Sequence, residues 1–211
     1  MKTHVYDTEG TTMTKRPQGE IKSGSSKPNL NKEEMAKKMQ AADTPGPAHQ
    51  VLRNFEGDWN AAVTCWMDAG GQPNVSTATS KVKWILDGRF LEEEFHGEMM
   101  GTSFTGRCLM GFDNTRQKFK SVWVDSMHTS MCTSEGKADN GYKVITLEGR
   151  VDCPGTGRKD VPIKQVFRLL SRDKHVLEMF TDGAKTMEIT YTRRGRSPAQ
   201  RPMRSLCWVS G

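Results

Sequence analysis

The stretch TATSKVKWILDGRFLEEEFHGEMMGTSFTGRCLMGF, residues 77–112, decides the fold. Apolar and polar side chains alternate along it with the two-residue period of a strand, and Asp87-Gly88 and the EMMG segment interrupt that period with hairpin-turn chemistry. The same rhythm runs outward in both directions. Strands are expected over 58–67, 77–86, 89–97, 102–112, 117–127, 129–137, 142–151, 160–170, 175–182 and 185–193. Besides the two turns already named, the separators are AGGQP, DNTR, Asp139-Asn140-Gly141, CPGTGRK, SRDK and Asp182-Gly183, all suited to turns. Such short connections leave no room for crossover helices, so consecutive strands pair antiparallel. A ten-stranded meander has two open edges, and joining them removes both. The expected fold class is therefore all-β, an antiparallel meander β-barrel of about ten strands with a short N-terminal helix.

The flanks read differently. Asn31 and Glu34 have the spacing of a capping box, and KEEMAKKMQAA predicts a short helix over 32–42 that offers Met35, Ala36, Met39 and Ala42 for packing. TPGP at 44–47 breaks it. Pro47 can then open a second short helix, AHQVLRNF, with Val51, Leu52 and Phe55 on one face. Residues 1–30 are rich in Thr, Ser, Lys, Gly and Pro and are expected to be disordered, since they bury too little apolar surface to offset the entropy of ordering. The division is a polar arm at 1–44, a barrel at 45–193 and a basic, flexible tail at 194–211.

The net charge of +6 sits in the flanks. Residues 1–44 carry eight basic and six acidic side chains, and residues 193–211 carry five arginines and no acid. The body between them has eighteen basic and nineteen acidic residues, so no basic groove and no specific nucleic-acid partner are expected. No apolar run approaches the length of a transmembrane helix, and the amino terminus lacks the apolar stretch of a secretory signal. Five dispersed cysteines suggest neither paired metal motifs nor a disulfide framework. We expect a cytoplasmic protein with reduced thiols.

The segments PGPAHQVL, EGDW, WILDGRFLEEEFHGEMMGTSFTG, MGFD, WVDSM, TSEG and MEITYTR, in this order, resemble the bacterial family called domain of unknown function 1579 (DUF1579), grouped with calycin or lipocalin-like barrels. The likeness covers about residues 45–193. Gly57-Asp58-Trp59 resembles the Gly-x-Trp that opens the first calycin strand, and Tyr191 and Arg193 close the last strand. The resemblance implies that Arg193 stacks on Trp59. It implies no activity, and it does not extend to the arm or the tail.

Candidate chemistry is sparse. Alternation puts Phe119, Ser121, Trp123, Asp125 and Met127 on one face of the fifth strand, expected to be the interior. Asp125 could anchor a ligand or act as a general base; the structural alternative, which we prefer, is a carboxylate at the rim that shapes the turn with Ser126 and His128. On the third strand Phe90, Glu92, Glu94 and His96 share one face, and Leu91, Glu93 and Phe95 the other. Glu94 and His96 stand about 7 Å apart, near enough to grip one ligand, although a solvated outer face explains the acids more simply. No third ligand accompanies them, so no metal is expected. His49 is expected to play a structural role near one end, and His175 to be exposed after the SRDK turn. No histidine lies in the last strand, where an axial haem ligand would first be sought, and no cofactor is expected. Trp59, Trp84 and Trp123 could line a cavity. The leading expectation is a barrel that binds a small apolar or amphipathic ligand through Trp59, Trp84, Glu94, His96, Trp123 and Asp125. The alternatives are an enzyme using Asp125 with His96 or His49 for proton transfer, and a filled barrel that works through its surface.

Overall fold

The structure is a computed structural model that describes residues 31–67, 71–99 and 101–195. The expectations of disorder over 1–30 and of a flexible tail from 196 onward lie outside the described residues. Within them, the alternation seen in the sequence becomes ten antiparallel strands. These are β1 (Gly57–Cys65), β2 (Asn74–Ile85), β3 (Phe90–Met99), β4 (Thr102–Asp113), β5 (Lys118–Asp125), β6 (Cys132–Ala138), β7 (Val144–Cys153), β8 (Arg158–Ser171), β9 (Lys174–Thr181) and β10 (Ala184–Arg193). Each pairs with its neighbours in sequence, and β1 pairs with β10 from Trp59↔Arg193 to Cys65↔Met187, closing the barrel.

Closure satisfies the backbone of both edge strands and turns one side chain in two inward. The inward set of β1 and β2 (Trp59, Ala61, Val63, Ala78, Ser80 and Val82) is buried, and so are Leu91, Phe95, Met110, Phe119, Ile145 and Leu147 farther round the wall. The outer wall is polar and laced with exposed ion pairs such as Lys83 with Glu92 and Arg158 with Asp182. Such pairs contribute little to stability.

Two helices precede the barrel, α1 (Lys32–Asp43) and α2 (Pro47–Leu52), and a 3-10 turn (Arg53–Phe55) follows α2. Asn31 caps α1 as its spacing predicts: its side chain accepts from the Glu34 N–H at 2.8 Å, and the Glu34 carboxylate accepts from the Asn31 N–H at 3.3 Å. None of α1 is buried. Among the described residues it is tethered at its end, where Asn114 Nδ2 donates to the carbonyls of Ala41, Ala42 and Thr44 and Arg89 donates to that of Asp43. The second helix and the 3-10 turn behave differently, because Leu52 and Phe55 are buried and close one end of the barrel. No helix among the described residues is long and apolar enough to cross a membrane.

Candidate functional site

The closed end is built around Trp59. Its indole is wholly buried, and Nε1 donates to the Phe55 carbonyl at 2.8 Å, tying strand to cap. The Arg193 guanidinium lies over the ring at 4.1 Å and donates to the carbonyls of Glu56 (2.7 Å), Asn54 (3.3 Å) and Arg172 (2.9 Å), with Asp173 at 3.1 Å completing its shell. Gly57 permits this approach. At φ +131° it occupies a backbone region that side chains avoid, and a Cβ there would stand 2.3 Å from Arg193 Nη1.

His175 lies in the same layer, buried, contrary to the exposure expected after the SRDK turn. Its ring stacks on Tyr191 at 4.3 Å and meets Trp59 edge-on at 4.4 Å and Phe55 at 5.0 Å. The signal that could have placed it was its parity with the inward Leu177 and Met179. The cap then covers it. Burial, with a contribution from the charge of Arg193, lowers its pKa to about 3, so it is neutral at ordinary pH. His49 in α2 is buried as well. Its Nδ1 accepts from the Gly46 N–H at 3.0 Å, and the ring also bonds to the Phe112 backbone.

The interior wall farther along holds a carboxyl that the sequence reading passed over. Glu93 points inward between Leu91 and Phe95 on β3, facing Val82 of β2 and Cys108 of β4. The Ser80 hydroxyl donates to its Oε1 at 2.6 Å, and Tyr191 brings its phenol to the same group. Burial raises the Glu93 pKa, and these two hydrogen-bonding neighbours oppose the rise only in part. Burial, then the nearby Glu93 and Cys132, push the Cys108 thiol far up, so it carries no thiolate at neutral pH. The available signal was parity again: a lone acid between a leucine and a phenylalanine on the apolar face of a strand.

The other candidate residues do not converge. Trp84 faces inward on β2, half-buried, with its Nε1 buried and without a hydrogen-bond partner. Trp123 faces inward on β5, stacked on Phe104 at 6.2 Å and edge-on to Phe95 at 6.1 Å, and lies flat where Gly106 has no side chain. Asp125 ends the strand at the opposite rim from the cap. One oxygen accepts from Trp123 Nε1 at 2.9 Å. The other, also at 2.9 Å, meets the backbone N–H groups of Met127 and His128 and the His128 ring. Burial pulls the Asp125 pKa up, but these hydrogen bonds outweigh it and the group titrates below the usual carboxylate range. Glu94 and His96 lie on the outer wall, across the sheet from Trp84 and Trp123: Glu94 pairs with Arg107, and exposed His96 neighbours Thr105 at 3.4 Å. The structure therefore does not bring Glu94 and His96 together with the tryptophans and Asp125.

Residues 44–193 match the model of a family described as "Protein of unknown function (DUF1579)". The chain belongs to this family. The matched span takes in α2, the 3-10 turn and all ten strands, so the closed end and Glu93 both lie inside the DUF1579 unit. No curated protein matches the chain. Among solved structures, the crystal structure of Rv2717c from M. tuberculosis is similar at 14% identity and a TM-score of 0.53, covering 72% of this chain and 100% of that one. That likeness is one of fold. A redesigned β-barrel at 13% identity covers 70% of this chain and 96% of its own, with a TM-score of 0.37.

Two concavities of the DUF1579 barrel lie on its outer wall. One, of about 920 Å³, crosses β5 to β9 beside Lys120, Glu135, Arg150 and Lys164; the other, of about 510 Å³, crosses β10, β1, β2 and β3 among Asn60, Ala62, Thr77, Thr79 and His96. The charges of the first are mostly engaged: Lys120 with Asp113, Glu135 with Lys118, Arg150 with Asp160, and Lys164 over the Phe180 ring.

Proposed function

We propose that the barrel interior binds a small amphipathic molecule, apolar over most of its surface, with Glu93 as the polar anchor. The observation that carries this reading is the state of the wall around that residue. Glu93 and Cys108 are surrounded by strands on every side, yet both keep part of their surface uncovered, as do the inward Trp84 and Trp123. Partly uncovered side chains inside a closed wall are what the lining of a pocket presents. Its chemistry is that of a binding site: aromatic faces from Trp84, Phe95 and Trp123, with a few polar groups to fix orientation. The polar groups at hand are the Glu93 carboxyl and the Ser80 hydroxyl and Tyr191 phenol that meet it. The outer concavities favour the surface-acting alternative less, because most charged groups in the larger one already have partners. The odd cysteine count and the reduced thiols it implies support a cytoplasmic setting for this activity.

Nile red, an uncharged dye that brightens in apolar surroundings, tests the reading on the full chain. One saturable site is expected, abolished by Cys108→Phe, which fills the space beside Glu93, at unchanged circular dichroism. A dye signal that never saturates, or that Cys108→Phe leaves intact, sinks interior binding.

A further inference from the structure

We infer that the interior prefers a cationic amphiphile, an alkyl or aralkyl amine, over a fatty acid or a neutral alcohol. The inference rests on the binding reading above and specifies the charge of the molecule bound.

The argument is an inventory of interior charge. Among the described residues the ionisable side chains that face inward or lie buried under the cap are Glu93, Asp125, His49, His175, Arg193, Tyr191 and the thiols of Cys65, Cys108 and Cys132; His49 is tied to the Gly46 N–H and the Phe112 backbone, and burial shifts both histidines toward the neutral form. The Arg193 cation is committed at the closed end to three backbone carbonyls and Asp173. Asp125 is held at the rim by Trp123, Met127 and His128. That leaves Glu93, whose hydrogen-bonding neighbours are a hydroxyl and a phenol and which no lysine or arginine approaches. The cations nearest in sequence and sheet, Lys83 on β2 and Arg107 on β4, point outward and pair there with Glu92 and Glu94.

A buried carboxyl with no cation opposite it is a site for a positive charge to complete. An ammonium group entering the barrel gives Glu93 its counter-ion and donates a charge-assisted hydrogen bond to it, while Ser80 continues to donate to the other side. A carboxyl that was protonated releases its proton to solvent as the ion pair forms, and the ammonium keeps all of its own. The surroundings suit the cation as well as its chain. Phe95 lies two residues from Glu93 and Trp123 two strands away, and aromatic faces attract a desolvated cation. A carboxylate ligand meets the reverse of each feature, a like charge and no interior cation free to receive it.

The experiment uses four probes of one chain length, dodecylamine, dodecanol, N-dodecylacetamide and dodecanoate, each displacing Nile red from the full chain at pH 7.5. Dodecylamine is expected to displace the dye at a concentration at least tenfold below dodecanol, with dodecanoate weakest. Glu93→Gln is expected to shrink the amine advantage to within about twofold and to leave dodecanol unchanged. Dodecanoate or dodecanol matching the amine, with the dye still bound at one site, overturns the inference and leaves interior binding standing. An amine advantage that survives Glu93→Gln also overturns it. If the dye never binds, both readings fall. Should Glu93→Gln not fold, the wild-type comparison with N-dodecylacetamide decides: the amide has the chain without the charge, and its matching the amine overturns the inference.

Discussion

The closed end and the middle of the barrel are built from the same kinds of residue and treat them in opposite ways. At the closed end a tryptophan, an arginine, a histidine and a tyrosine are stacked ring upon ring. The Trp59 N–H and the Arg193 guanidinium find backbone carbonyls and little surface is left uncovered, although His175 Nδ1 lies buried there without a partner. Around Glu93 another tryptophan and an acid face inward with surface to spare, and the Trp84 N–H has no partner. The contrast separates residues that hold the barrel together from residues with room to hold something else. Composition alone does not separate them; packing does.

The largest effect that follows is at Trp59. Trp59→Ala is expected to cost about 3–5 kcal/mol, the range for truncating a fully packed aromatic, a large part of the stability of a domain this size. Urea denaturation reads it as a fall in midpoint. A loss below about 1 kcal/mol would erase the distinction drawn here, since the closed end would then be no better packed than the middle.

Acid comes next. His175 is buried with its pKa held near 3, against about 6.5 in the unfolded chain, so the unfolded state takes up a proton that the folded state refuses. The associated stability is complete above the unfolded value and drains away as pH falls toward 3. Between pH 6.5 and 5 the loss is about 2 kcal/mol at 1.36 kcal/mol per unit. Glu93 works in the other sense: with its folded pKa raised, its contribution favours the fold at low pH and is lost as pH rises from the ordinary carboxylate range through the folded value. Melting temperatures followed from pH 7 to 5 are expected to fall for the wild type, with most of the slope removed by His175→Phe. A slope that persists in the variant assigns acid sensitivity elsewhere.

The smallest effect sharpens the comparison most. Trp84→Phe removes an unpartnered N–H and only part of a packed surface, so its cost is expected to stay within about 1 kcal/mol. Equal losses for Trp84→Phe and Trp59→Ala in the same urea series would mean that the middle is packed solid, and interior binding would lose its support.

Much of the architecture was legible because the hairpin turns are short and the two-residue period is clean. All ten expected strands are present. Their ends shift by a few residues, as where β6 starts at Cys132 after a longer turn that Asp125 organises. The capping box of α1 and the stacking of Arg193 on Trp59 also follow from local spacing or from the family likeness. The candidate interior site was harder to read. Parity puts Glu93 on the face of Leu91 and Phe95, but a lone acid among apolar residues carries a weaker chemical signature in sequence than the carboxylate and imidazole of Glu94-x-His96 on the outer face. Only cross-strand neighbours reveal that Ser80 and Tyr191 meet Glu93, and these lie 13 and 98 positions away in the chain. His175 was misplaced for a related reason: a turn predicts exposure locally, and the cap that buries it comes from residues more than a hundred positions earlier.

The seam between β1 and β10 joins residues as distant as Glu56 and Arg193, 137 positions apart. Strand β1 is made first on the ribosome and must wait for β10, made last, before one of its edges is paired, so closure is a high-contact-order event at the end of synthesis. The same seam leaves the natural ends of the barrel side by side. A Gly-Ser linker from Arg194 to Thr44, long enough to cross the closed end and keep α2 and Phe55 in place, with new ends opened in the exposed 154–157 turn, re-routes the chain without breaking a strand. In such a circular permutant the last pairing to form becomes a local one, and the waiting edge moves to the other side of the barrel.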